Sequence, residues 1–202
     1  MATGSKDKIL ERARDLFYQR GYMATSVDEI IAEAKVSKSN FYYHFKSKED
    51  LGIAVLEQRA EEFLSFRSDT LCNADLCPRE RLHKFLYTLA ELQETQWTGG
   101  CPFGNLVAEM SEHSERFRCY LSSMFAGLNS VIEGTVDDAQ RLCEFRRDIR
   151  ADQVAGLIVQ MIQGAQLMVK CHKAHDPLRQ SANLLFYLLD AGDSRRSGNI
   201  NA

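Results

Sequence analysis

The chain has 202 residues, 45% of them hydrophobic and 26% charged, enough to bury a substantial core as one compact unit or two small domains, and too apolar for a disordered chain. A net charge of -3 excludes a protein that coats nucleic acid with its whole surface, so any nucleic-acid contact has to be local. No apolar run approaches the roughly 20 residues of a membrane span, and the opening MATGSKDK lacks the apolar segment of a signal peptide, so a cytoplasmic protein with no membrane partner is the expectation.

Three prolines and few β-branched runs predict an all-α protein. The first helix is expected from Lys6 to Gly21, with Ile9, Ala13, Leu16 and Phe17 in an i, i+4, i+7, i+8 stripe and Gly21 as its stop. Thr25 to Asp50 then reads as two short helices joined by a tight turn, with a third beginning at its end. Ser26 caps the first, Glu29 completes a capping box, and Val27, Ile30, Ile31 and Ala34 share one face. Ala34, Lys35 and Val36 form the turn. Ser37 caps a second short helix through Phe45, whose apolar side is Phe41 and Phe45, and Ser47 caps the third with Asp50 at the box position. The stripe of the first helix is expected to pack on Ile30, Ile31 and Phe41.

Between Lys35 and Lys48 stand Lys35, Lys38, His44, Lys46 and Lys48 without one carboxylate. Ser37, Ser39, Asn40, Tyr42 and Tyr43 are interleaved with them on a helix too short to be stable alone. Such a helix fits a major groove, where Asn or Ser reads base edges while Lys, Tyr and N-terminal amides hold phosphates.

From Lys48 the chain is predicted helical to about Ser68, through Leu51, Val55, Ala60, Phe63 and Leu64. Thr70 to Cys77 breaks the pattern, and Pro78 starts a helix with Leu82, Phe85, Leu86, Leu89 and Leu92 on one face, ending near Gln96. After the loop TGGCPFG a short helix is expected from Phe103 to Met110. A long one follows with Phe117, Tyr120, Leu121, Met124, Phe125, Leu128, Val131 and Ile132, ending before Cys143. Two helices close the chain. The first carries Val154, Leu157, Ile158, Met161, Ile162, Ala165, Met168 and Val169, with Gly156 and Gly164 allowing close approach. The second starts with Asp176 as cap and Pro177 at its first position. Leu178, Ala182, Leu185, Phe186 and Leu189 form one stripe and Leu184 with Leu188 another, so its own core cannot satisfy both sides and a second chain is needed. A dimer interface of Leu157, Met161, Leu184, Leu185 and Leu188 is the expectation, followed by a disordered tail over 193–202.

The stretch from Ala13 to Lys48 resembles the DNA-binding domain of the TetR family of bacterial transcriptional repressors. That family's helix-turn-helix reads Ala-Gly-Val-Ser, then a short helix ending in Tyr-x-His-Phe and a Lys. The matching residues are Ala34, Val36, Ser37, Tyr42, His44, Phe45 and Lys48, preceded by Ala13, Phe17, Gly21, Tyr22, Thr25, Val27 and Ile30. Lys35 stands where the family has Gly, at a cost on the order of 1 kcal/mol if the turn needs positive φ. Ser39 stands at a site often Gly. The resemblance implies a DNA-binding domain over 1–47 and a helical regulatory and dimerisation domain over 48–192. It also implies a homodimer on palindromic double-stranded operator DNA, released by a small-molecule inducer. Ser26, Lys38, Tyr42, Tyr43, His44 and Lys48 would hold phosphates, with Ser39 and Asn40 nearest the bases. Trp97, Cys101, Phe103, Met110, Tyr120, Met124 and Leu128 would line the inducer pocket.

Cys101 follows two glycines just ahead of a helix, where amides and dipole favour a thiolate. The run Gly100, Cys101, Phe103, Gly104, Asn105 is similar to a branch of TetR-like repressors that sense electrophiles or oxidants. The alternative is that Cys101 is a small packing residue. The rival from another class is a cytosolic thiol-based redox protein using Cys101. Cys171, His172 and His175 lack an acidic partner and are not read as a zinc site. No phosphate loop, nucleophile elbow or HExxH is present, so no catalytic residue, metal or cofactor is expected.

Overall fold

The computed structural model describes residues 4–96, 98–173 and 176–190. Trp97, His175 and the tail over 193–202 therefore lie outside the described residues. Among the described residues there are nine helices and no strand: α1 Ser5–Arg20, α2 Val27–Ala34, α3 Lys38–His44, α4 Lys48–Asp69, α5 Pro78–Thr95, α6 Pro102–Met110, α7 Glu115–Arg141, α8 Ala151–His172 and α9 Pro177–Leu189. The all-α expectation holds, and the helix ends fall within a residue or two of those read from caps and stripes.

The chain compacts into two units. One comprises residues up to Ser65 together with Gly99–Met124, the other Phe66–Thr98 together with Phe125 onward. The boundary expected at 47/48 marks the start of α4, but compaction does not follow that cut. α4 and α7 each contribute residues to both units, and α6 belongs with α1, α2 and α3.

In the first unit each short helix is fixed by local chemistry before packing adds to it. Ser26 Oγ accepts from Glu29 N at 3.2 Å while Glu29 Oε2 accepts from Ser26 N at 2.7 Å, the reciprocal cap read from the sequence. Ser37 Oγ accepts from Asn40 N at 3.2 Å and Ser47 Oγ from Asp50 N at 3.0 Å. Ile9, Ala13, Leu16 and Phe17 are buried, as are Ile30 and Phe41, so α1 is the support on which α2 and α3 lie. Ile31, grouped with them in the sequence reading, is only half-buried. Each large apolar side chain withdrawn here contributes about 1.5–3 kcal/mol. Tyr22 stacks between Phe17, 4.9 Å away, and the edge of Phe117 on α7 at 5.1 Å. α4 passes them at Gly52, where a Cβ would lie 2.6 Å from Phe117 Cζ and 2.7 Å from Tyr22 Cε2.

In the second unit α5 and α8 both pack on α9 through Leu82, Phe85, Leu86 and Leu89 of α5, Ile158, Ile162 and Val169 of α8, and Leu178, Leu185, Phe186 and Leu189 of α9. α7 stops after Arg141, with Cys143 left-handed at φ 58° and Glu144 N bonded to Ala139 O at 2.9 Å. Gln140 Nε2 then holds the following loop by donating to Arg146 O and Ile149 O at 2.8 and 2.7 Å. The Arg79 fork grips Asp190 at 3.0 and 3.2 Å.

Three sequence expectations change here. Leu185 is 4% exposed and belongs to the core of its own unit, not to a dimer surface. Asp176 makes no side-chain cap; its carboxylate accepts from Gln180 Nε2 at 2.8 Å instead. α8, with a mean hydropathy of 1.3, is long and apolar enough by length and composition to cross a membrane, which the reading of apolar runs understated. A core helix passes the same test, and α8 reaches that value because Leu157, Leu167 and Met168 lie exposed on it in addition to its buried row.

Candidate nucleic-acid interface

α3 has two sides. Phe41 and Phe45 are buried and anchor it to the first unit, while Tyr43 is 78% and Tyr42 43% exposed, with Lys38 and Ser39 exposed at its start. The alternation follows from helical spacing: residues four apart face the core, so the polar residues between them face out. A seven-residue helix held in this way presents its outer side chains on a fixed base.

Lys38, Ser39, Asn40, Tyr42, Tyr43 and His44 therefore stand together on α3, though not equivalently. Lys38 Nζ is 3.3 Å from Asp28 Oδ1, both strongly exposed. The run that is free of carboxylates in sequence thus acquires one in space from α2, and binding a phosphate there means exchanging one exposed ion pair, worth about 0–1 kcal/mol, for another. Ser39 Oγ lies 3.0 Å from Ser37 Oγ. Asn40 is half-buried, and its Oδ1 points inward without a hydrogen-bond partner among the described residues. Of the two candidate base readers, Ser39 is the more outward. Tyr43 and His44 rings meet edge to face at 4.9 Å.

Ser26 and Lys48 flank α3. The Ser26 hydroxyl is engaged at its cap, donating to Glu29 Oε2 at 2.8 Å. Hydrogen bonds from the Ser26 amide and hydroxyl hold the Glu29 carboxyl below its usual range. Lys48 opens α4, and its Nζ sits 4.3 Å from the centroid of Tyr22. Burial lowers its pKa, with Glu109 and Glu29 opposing. An ammonium at a helix N-terminus is a ready phosphate contact. Lys35, exposed in the turn, has φ 53° and ψ 46°. Its N–H still bonds Ala32 O and that of Val36 bonds Ile31 O at 3.2 Å, so the turn keeps its geometry with a lysine in the left-handed position.

The candidate pocket residues are dispersed. Cys101, Phe103, Met110, Tyr120 and Met124 belong to the first unit and Leu128 to the second. Phe103, Met110 and Leu128 are buried, Cys101, Tyr120 and Met124 half-buried. Cys101 is the N-cap of α6, its Sγ accepting from Gly104 N at 3.3 Å. Proline at position 102 therefore does not deprive the sulfur of an amide; the one two residues further on reaches it. Phe103 meets Phe63 edge to face at 5.9 Å. No cysteine is in a disulfide. Burial raises the Cys77 thiol pKa, and a hydrogen bond to Glu115 raises that of Cys119.

Some residues escaped the sequence reading. Gln166 is fully buried on α8 with its Oε1 lacking a partner among the described residues, a state that costs about 1–3 kcal/mol unless a donor reaches it. Its position in an apolar row was the available signal. Leu167, Met168 and Tyr187 join Leu157, Leu184 and Leu188 as large exposed apolar side chains on α8 and α9, while Met161 is half-buried.

Residues 9–55 match the family described as bacterial regulatory proteins, tetR family, and residues 78–185 match the tetracyclin repressor-like C-terminal domain. The chain is 30% identical over 187 residues to the HTH-type transcriptional repressor DhaR of Mycobacterium sp. (strain GP1), covering 93% of each chain. A TetR regulatory protein from Rhodobacter sphaeroides superposes with a TM-score of 0.82 at 26% identity, over 91% of this chain and 97% of that one. The reduced form of Escherichia coli NemR superposes with a TM-score of 0.78 at 22% identity, over 92% and 97%. With one match on the basic head and another on more than half of the chain, the protein belongs to the TetR family of bacterial transcriptional regulators.

Proposed function

We propose that this regulator is a homodimeric cytoplasmic repressor that sets two copies of α3 in successive major grooves of a palindromic operator and releases the DNA when a small molecule binds the helical half. The observation that carries the reading is the two-sided α3, anchored by Phe41 and Phe45 and presenting Lys38, Ser39, Tyr42 and Tyr43 outward. Lys48, Ser26 and His44 serve as phosphate contacts and Ser39, with Asn40 beside it, as the base reader. The exposed row Leu157, Leu184 and Leu188, with the half-buried Met161, supports pairing of α8 and α9 with the same helices of a second copy. Cys101, Phe103, Met110, Tyr120 and Met124, all of the first unit, form the responsive region.

Gel-shifts on the DNA upstream of its own coding sequence test the reading. Wild type should give a retarded band whose affinity falls steeply with salt, Lys48→Ala should flatten that dependence, and Leu184→Glu with Leu188→Glu should yield monomers by sedimentation that no longer shift the DNA. A soluble dimer from the double variant would place the interface elsewhere.

A further inference from the structure

Asp28, in the first turn of α2, reaches across to Lys38, the first residue of α3, its Oδ1 accepting from Lys38 Nζ at 3.3 Å. The two side chains are 78% and 65% exposed. The neighbouring carboxylate is used differently. Glu29 accepts from the amide and hydroxyl of Ser26 and lies 3.3 Å from Arg20, so it belongs to the cap. Asp28 makes no cap, and Lys38 is its ion-pair partner among the described residues. Ser39 and Tyr42, next to Lys38 and one turn on from it, are exposed as well, so the pair stands on the same outer surface as the DNA-facing side chains of α3.

A lysine that serves only to hold a phosphate gains nothing from a carboxylate beside it: the pair is neutral, and the DNA backbone repels Asp28. Stability does not account for the pair either, since exposed ion pairs contribute little to it. What a neutral donor and acceptor side by side do match is a base edge. In the major groove a G·C pair sets the guanine O6 acceptor next to the cytosine N4 donor. Those two atoms are hydrogen-bonded to each other and so lie about 2.9 Å apart, close to the 3.3 Å between Lys38 Nζ and Asp28 Oδ1. An ammonium has three donors and a carboxylate several acceptor sites, so each group can bond its base and keep its partner. Guanine N7 gives the ammonium a further acceptor. An A·T pair fits less well, because adenine N7 repels a carboxylate placed at N6 and the thymine methyl crowds an ammonium placed at O4.

We propose that Asp28 and Lys38 read one G·C pair in each operator half-site as a unit, Lys38 donating to guanine O6 and N7 and Asp28 accepting from cytosine N4. The ion pair is kept on the DNA, not exchanged for a phosphate. This rests on the operator binding proposed above and adds to Ser39 a charged base reader built from two helices.

Selection of duplexes bound by the full chain, from a library whose randomised centre is long enough for two half-sites, tests it by sequencing. Wild type should enrich a palindrome with a G·C pair at one position of each half-site, preferred about 10- to 100-fold over the other pairs. Asp28→Ala and Lys38→Ala should each lose most of that preference at this one position, because each side chain holds the other in place. The exchanged pair, Asp28→Lys with Lys38→Asp, should select C·G there. An unchanged motif in both single variants, or losses at two different positions, overturns the joint reading. It is overturned too if Lys38→Ala weakens binding to every sequence alike and lowers the salt slope by about one unit, as loss of a phosphate contact does. A wild type that enriches no palindrome overturns operator binding itself, and this reading with it.

Discussion

Glu109 Oε2 on α6 accepts from the backbone N–H of Met23 at 2.9 Å, tying the loop between α1 and α2 to a helix that lies far along the chain. The same carboxylate fills the space beside Gly21, where a Cβ would lie 3.0 Å from Oε1 and where φ is +92°. Whatever displaces α6 therefore pulls on the loop that sets the entry of α2.

Replacing Glu109 by Ala should cost about 1–2 kcal/mol of stability through the lost charge-assisted bond. It should also weaken operator binding without altering base preference, since no DNA-facing side chain changes. Urea unfolding combined with gel-shifts on single-base operator variants reads both. Unchanged stability would mean that the Met23 amide is equally well served by water.

Lys35 is the second point at which the head can be probed. With φ at 53°, a side chain in the left-handed region is strained by about 1 kcal/mol relative to glycine. Lys35→Gly should raise Tm by about 2–4 °C, and if the exposed Lys35 ammonium also meets a phosphate, the slope of log affinity against log salt should fall by about one unit. A Tm that drops instead would show that the lysine stem contributes packing exceeding the strain.

The pH dependence has a specific origin in Tyr22. Burial foremost, then Glu49 and Asp50, push its pKa up to about 12 from the usual 10. The raised value means that the folded state keeps the phenol proton after the unfolded chain has lost it. The associated stability is complete below pH 10 and is lost as pH rises towards about 12, by about 1–3 kcal/mol. Tyr22→Phe should remove that component, seen as a shallower fall in unfolding free energy over this window. Parallel curves for the two proteins would exclude Tyr22 as its source.

The features visible in the sequence are those settled within a few residues. Ser26 with Glu29, Ser37, Pro78 and Pro177 announce helix starts because a cap involves only its own turn, and the α1 stripe is legible because periodicity survives without neighbours. What joins distant positions left no such mark. The Asp28 carboxylate that meets Lys38, the Glu109 carboxylate that meets Met23 and the Arg79 fork on Asp190 are indistinguishable in sequence from solvated charges. The two stripes of α9 are legible in the sequence, Leu185 and Leu189 on the inner one and Leu184 and Leu188 on the outer one, and burial follows that division. Counting Leu185 in the dimer interface as well is what the burial of its side chain overturns. Cys101 was expected beside a helix N-terminus; that its own sulfur is the cap was not legible, since thiols are weak acceptors and seldom read as caps.

That cap sets the expectation for thiol chemistry. With the Gly104 amide aimed at its sulfur, Cys101 should be alkylated faster at neutral pH than Cys77 or Cys119, whose thiol pKa values are raised. Modification should loosen operator binding, because a larger group on the sulfur breaks the start of α6. Mass-spectrometric rates and gel-shifts of wild type and Cys101→Ser before and after a mild electrophile decide it. Release of DNA by the treated Ser variant would assign the response to another residue.

The fit around Gly52 has a consequence for the order in which the protein can be made. The glycine closes against Tyr22 on one side and Phe117 on the other, and the first unit counts Gly99–Met124 among its parts. A nascent chain that has exposed only α1 to α4 has every residue of the DNA-facing surface but lacks the aromatic ring that completes the core beneath it. Since synthesis delivers residues from the N-terminus onward, the head cannot reach its finished packing until the first turns of α7 have emerged. A chain terminated before α7 thus carries α3 but not the Phe117 ring that closes the packing beneath it.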